Sequence, residues 1–186
     1  MFIQTEQTPN PASLKFLPGC QVMVHGTAEF RSAAEAHASP LAERLFKIHG
    51  VTGIFLADDF LTITKAPDFD WSLLKPLILG AIMEHFTTGQ KVMLNEDVGA
   101  VHASSVAEGD TEIVKQIKEL IDTRIRPIVA QDGGDIVFSS FEDGIVYLHM
   151  RGACAGCPSS TATLKGGIEN MLKHFVPEVT EVQAIN

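Results

Sequence analysis

The chain has 186 residues, 45% of them hydrophobic, enough for a packed core in one medium domain or two small ones. Its 14 basic against 23 acidic side chains give a net charge of -9, and its longest basic cluster is the short run of Arg124 and Arg126, which argues against nucleic acid as a partner. Three cysteines are too few, and odd in number, for a secreted disulfide scaffold, so a reducing compartment is expected.

The opening "MFIQTEQ" and the later "SLKFLPG" read as strands broken at "TPNP", where Pro9 and Pro11 exclude a regular ladder. "SPLAERLFKIHG" carries helix signals: Ser39 as N-cap, Pro40 at the first position, Leu41, Leu45 and Ile48 on one face, and Gly50 as terminator. "VTGIFLADDFLTITK" predicts a hairpin around Asp58 and Asp59, and Asp70 is expected to cap a helix from about Trp71 to Phe86 that ends at Gly89. The apolar stretch from Leu73 to Phe86 holds Lys75, Pro76 and Glu84. It falls short of the roughly 20 residues of a bilayer helix and predicts a buried helix, so no membrane role is expected. His25, His37, His49 and His85 are scattered and predict no ligand set.

Residues 95–110, "NEDVGAVHASSVAEGD", are small and polar without sustained periodicity and predict a linker between domains at 1–94 and 111–186. Beyond it, Ile113, Ile117, Leu120, Ile121, Ile125 and Ile128 recur at helical spacing, with Asp110 or Thr111 as cap, and predict one helix to about Val129. Asp132 and Asp135 flank Gly133 and Gly134 in a turn, read as structural in preference to an acid–base pair. "DIVFSSFEDGIVYLHM" predicts a hairpin across Asp143 and Gly144. Leu164, Ile168, Met171, Leu172 and Phe175 then mark a second helix, and "EVTEVQAI" a last strand. The fold class is therefore α+β, two small domains joined by a linker, the second with the order α-β-β-α-β. Gly166 and Gly167 weaken that second helix by about 1 kcal/mol each relative to alanine, which predicts close packing against a strand or a second subunit.

The chemistry concentrates in "RGACAGCPSS", where Cys154 and Cys157 fall between the last strand of the hairpin and the helix beginning near Pro158. Gly152, Ala153, Ala155 and Gly156 are small, so the backbone can fold tightly and nothing bulky shields the sulfurs. Cys157 is expected beside the helix N-cap, where the positive dipole end lowers a thiol pKa. Three uses of such a pair remain open: a thioredoxin-like dithiol/disulfide oxidoreductase, a zinc site, and an iron–sulfur cluster. Thioredoxins need a βαβ unit before the motif and a long strand-bearing segment after it, and proline commonly lies between their two cysteines. Zinc and the common clusters take four ligands, and one chain offers two closely spaced sulfurs, with His149 and His174 too far away to complete a cage. A symmetric dimer in which each chain gives both cysteines solves that arithmetic for a cluster, and would equally hold a bridging zinc. Cys20, distant in sequence, reads as a lone, partly buried thiol.

"RPIVAQDGGDIVF" and "LHMRGACAGCPSSTATLKGGIENML" resemble the C-terminal domain of NifU and the Nfu iron–sulfur proteins, and "MFIQTEQTPNPASLKFLPG" resembles the N-terminal domain of the bacterial and mitochondrial Nfu type. The resemblance implies a homodimer bridged by a [4Fe-4S] cluster on Cys154 and Cys157 of each chain. It also implies upstream cluster donors, delivery to apo iron–sulfur client proteins, and no enzymatic role. The additional cysteine-rich domains of full NifU are lacking here, which favours a carrier over a first scaffold. A start lacking signal- or transit-peptide character gives the expectation of a bacterial cytoplasm, with the mitochondrial matrix as the alternative for a processed chain.

Overall fold

In a computed structural model the chain divides into two units, residues 1–101 and 102–186. The structure describes residues 2–94, 111–155 and 158–185, with the backbone alone for 158–161. The expected linker at 95–110 and Cys157 lie outside the described residues.

The first unit is a five-stranded antiparallel sheet built from β1 (Gln4–Gln7), β2 (Ser13–Leu17), β3 (Ala28–Phe30), β4 (Val51–Leu56) and β5 (Leu61–Lys65) in the order β1-β2-β5-β4-β3. The "TPNP" segment is a turn held by its own side chains: Asn10 Oδ1 accepts from the Ala12 amide at 3.0 Å, and Thr8 Oγ1 donates to the Asn10 carbonyl at 2.8 Å. Two helices, α1 (Pro40–Phe46) and α2 (Trp71–Thr87), bury Leu41, Leu45, Leu74, Ile78 and Ile82 with Phe16, Ile54, Leu56 and Ile63 of the sheet. Ser39 caps α1 as expected, its hydroxyl accepting from the Ala42 amide at 3.1 Å and donating to the Val92 carbonyl at 2.6 Å. Asp70 occupies the N-cap of α2 with extended backbone, but its carboxylate makes no capping hydrogen bond.

His85 on α2 is wholly buried, and neither ring nitrogen has a hydrogen-bond partner among the described residues. Burial first, and the Arg44 guanidinium second, hold its pKa below the ordinary imidazole value, against a weaker pull from the Gln90 backbone. Folding therefore favours the neutral ring. The unfolded chain takes up this proton near pH 6.5 and the folded chain only at lower pH, so stability should be level above about pH 6.5 and decline below it. Urea unfolding at about pH 7.5 and about pH 5.5 should show a smaller decline in His85→Leu than in the wild type. Equal declines in both would remove His85 as the cause.

The second unit carries a three-stranded sheet ordered β6-β7-β8, from β6 (Gly134–Glu142), β7 (Ile145–Gly152) and β8 (Glu181–Ile185). β6 and β7 pair antiparallel and β8 adds parallel to β7. Asp143 and Gly144 both take positive φ, 50° and 81°, the conformation a two-residue hairpin turn demands. Along β7 Val146, Leu148 and Met150 are buried at alternate positions, facing Ile117, Ile121, Ile125 and Val129 of the first helical run and Ile168 and Leu172 of α5 (Pro158–Phe175).

The first helical run is not one regular helix. It is α3 (Glu112–Leu120), a π-helical turn at Ile121–Ile125 and α4 (Arg126–Gln131). Pro127 has no amide hydrogen and its ring opposes a regular turn before it, so the extra residue is absorbed there. Thr111 caps α3, its hydroxyl accepting from the Val114 amide at 3.4 Å. Gly166 and Gly167 are exposed on α5 with nothing within 4 Å of where a Cβ would stand, so packing against a strand of the same chain does not explain them.

Candidate functional site: a cysteine loop against a glycine turn

The start of β6 and the end of β7 lie side by side, with Gly134 opposite Gly152 and Asp135 opposite Arg151. The turn from α4 into β6 and the loop from β7 toward α5 are thereby neighbours, although some twenty residues separate them in sequence. The Ala153 amide donates to the Gly133 carbonyl at 3.1 Å, and the Ala155 amide to the Gly152 carbonyl at 3.1 Å. These bonds pin the first half of the cysteine loop onto the glycine turn.

Cys154 is only 4% exposed and belongs to the same core as Ile117, Ile136 and Leu172. This corrects the expectation of an unshielded thiol. The loop's own residues are small, as read, but the atoms that enclose the sulfur come from elements distant in sequence. Gly134 permits it: a Cβ there would fall well inside contact distance of Cys154 Sγ and stand 2.8 Å from the Arg151 carbonyl oxygen. Burial, then the nearby carboxylates of Asp132 and Asp135, push the Cys154 thiol up to about 12.

In the folded single chain this thiol is therefore protonated and enclosed, whereas Cys20 is half-buried. Iodoacetamide at about pH 8 should label Cys20 faster than Cys154, by on the order of a hundredfold or more, and denaturant should abolish the difference. Peptide mapping of the alkylated cysteines after timed exposure reads this directly. Equal labelling in the folded protein would show that Cys154 is not enclosed in solution.

A charged network stands beside the loop. Asp135, 6% exposed, accepts from the Ile136 amide at 2.8 Å and from Arg126 Nε at 3.1 Å. Arg126 also donates to the Ile136 carbonyl at 3.2 Å and, through its terminal nitrogen, to Asp122 at 3.1 Å. The turn expected around Asp132 and Asp135 is present, but Asp135 does more than flank it. Its partner Arg126 was visible in the sequence only as part of a short basic run.

Among the described residues no three His, Cys, Asp or Glu side chains gather into a group able to hold a metal ion. No helix among them is long and apolar enough to cross a membrane.

Fold and loop together define a class: an α+β protein of two units, the second carrying a cysteine just past a strand and against a glycine turn. Residues 3–89 match the family model for the scaffold protein Nfu/NifU N terminal, and residues 117–183 match the NifU-like domain. The chain belongs to the Nfu/NifU family, with both domains in that order. It is 50% identical over 185 residues to NifU-like protein 4, mitochondrial, of Arabidopsis thaliana, an alignment covering 98% of this chain and 65% of that protein. To the NFU1 iron-sulfur cluster scaffold homolog, mitochondrial, of Drosophila sechellia it is 50% identical over 186 residues, covering 100% of this chain and 65% of that one. A solved NifU-like protein from Saccharomyces cerevisiae is 29% identical with a TM-score of 0.47, covering 51% of this chain and 86% of that one. The chain thus spans about 65% of the length of the curated relatives it matches. Both of these relatives are named mitochondrial, which supports the mitochondrial alternative and gives no support to the expected bacterial cytoplasm.

Proposed function

We propose that the protein is an iron–sulfur cluster carrier: two chains, each giving Cys154 and Cys157, hold one [4Fe-4S] cluster as cargo and pass it to apo-proteins without catalysing a reaction. The observation that carries this reading is the match of both domains to the Nfu/NifU family, together with Cys154 just past the end of β7 and a second cysteine three positions on in the sequence. Two thiolates per chain cannot close a four-thiolate site, so two copies are required. The bare outer side of α5 at Gly166 and Gly167 suits close approach of a second copy. The oxidoreductase alternative fits less well, because β6 and β7 form an antiparallel hairpin before the cysteine loop where a thioredoxin-like fold needs a βαβ unit. A zinc-bridged dimer would use the same four sulfurs and is separated by metal analysis.

The domains are expected to divide the work. The second unit has its own core and the candidate ligands. The first shows no ligand set among its described residues, so its proposed role is recognition of clients, in the mitochondrial compartment that the relatives' names favour. Anaerobic purification with iron, sulfide and zinc analysis, an absorption spectrum and a native mass tests the reading. It expects a dimer with about four irons, loss of iron in Cys154→Ser or Cys157→Ser, retention in Cys20→Ser, and transfer to an apo-acceptor. A monomer carrying a full cluster, or a metal-free protein that turns over disulfides, would overturn it.

A further inference from the structure

Beside the "TPNP" turn of the first unit lies an open groove of about 470 Å³ that the cysteine chemistry does not use. Its size falls within the range of binding sites, roughly 300 to 1,000 Å³. Thr5 and Gln7, two apart on β1 and so on the same face of the strand, form one side. Pro9 and Pro11 form the end, and Trp71 and Lys75, one helical turn apart at the start of α2, form the other side.

Three features give the groove a chemical preference. Its walls are largely polar, and the apolar residues among them are held in place before any ligand arrives: proline fixes its own backbone, and the Trp71 indole N–H donates to the Pro11 carbonyl at 3.2 Å. Lys75 is the one charged residue lining the groove, and it has no ion pair or hydrogen bond among the described residues. A single flexible ammonium among uncharged walls suits one carboxylate, whereas a phosphate site would gather several charged donors. β1 is an edge strand, so one side of its main chain has no ladder partner among the described residues and can accept an extended segment.

We propose that this groove binds an extended peptide segment of a partner protein, with apolar residues against Trp71 and the two prolines and an Asp or Glu side chain on Lys75. The partner's identity as a cluster-accepting client rests on the carrier reading, while the peptide site does not depend on the cluster. In a chain of net charge -9, a lysine in an otherwise uncharged groove also opposes the general repulsion that an acidic partner would meet.

The protein contains one tryptophan, so its emission reports on this groove alone. The probes are two sets of positional-scanning hexapeptides, N-acetylated and C-amidated, built from apolar residues and threonine with one fixed Glu or its Gln counterpart. A third set has no acidic side chain but a free C-terminal carboxylate. The Glu set is expected to shift Trp71 emission and to bind about fivefold or more tightly than the other two, a preference that salt weakens. Lys75→Gln, with an unchanged circular dichroism spectrum, should erase that preference, and Lys75→Glu should turn it toward peptides with Lys at the fixed position. No emission change with any set, an equal response to Glu and Gln, a preference for the free C-terminus, or a Glu preference that survives Lys75→Gln would each overturn the proposal. The titration runs on full-length protein without cluster. A failed carrier reading would show instead as absent iron or absent transfer, with the peptide response intact.

Discussion

Gly134→Ala is expected either to destabilise the second unit by about 3 kcal/mol or to dislodge Cys154 from its enclosed position. The added methyl group would overlap the Cys154 sulfur and stand 2.8 Å from the Arg151 carbonyl and 3.1 Å from the Cys154 amide nitrogen. Two of these three atoms belong to backbone, and Arg151 is held in the ladder opposite Asp135, so a side-chain rotation cannot relieve the clash. Either the first pairs of the β6–β7 ladder open or the cysteine loop lifts away. In the second case Cys154 should alkylate much faster than in the wild type while the melting curve changes little. Gly167→Ala is the contrasting control, since nothing lies within 4 Å of its Cβ position and a helical alanine is better by about 1 kcal/mol. Denaturant midpoints of the three proteins with timed alkylation check both outcomes. A Gly134→Ala protein with wild-type stability and an unreactive Cys154 would mean the contact is not as close as the structure has it.

Where elements follow from local rules, the sequence carried them. The Asp143-Gly144 turn and the Ser39-Pro40 helix start form where expected, and the isoleucine spacing from Ile113 onward gives helix over the expected span, though broken by a π-helical turn. β3 was not legible because three residues are too short to show alternation. The π-helical turn went unread because apolar spacing survives a one-residue shift, while its cause, Pro127, sits where a helix could equally have ended. The enclosure of Cys154 was misread for a different reason. Local composition described the loop's own residues correctly, but burial is decided by Gly134 and by core residues that reach the sulfur through strand register. The same limit applies to Asp135, whose role depends on an arginine across a helix end.

Removing that arginine should have a large effect. Asp135 is 6% exposed and its carboxylate is held by one main-chain amide and by Arg126. In Arg126→Met the aliphatic length is kept, so packing along α4 changes little, but the Asp135 carboxylate loses the Arg126 guanidinium while it stays near the thiol of Cys154. Breaking a buried pair by deleting one partner costs about 3 to 5 kcal/mol, and the 21% exposure of the arginine side chain places this case near the lower end. The loss of the bond to Asp122 adds little, because that carboxylate is one-third exposed and water replaces its partner. Arg126→Lys should recover only part of the loss: an ammonium restores the charge, but not the fork that reaches Asp135, the Ile136 carbonyl and Asp122 together. Asp135→Asn alone should cost less than Arg126→Met, since a neutral amide tolerates burial better than a carboxylate that has lost its guanidinium. In the double variant Arg126→Met/Asp135→Asn the two losses should add to much less than their sum, leaving a coupling of about 2 kcal/mol. A double-mutant cycle by urea unfolding measures that coupling. Simple additivity would show that the arginine acts through packing on α4, and that Asp135 is held in place by the strand amide alone.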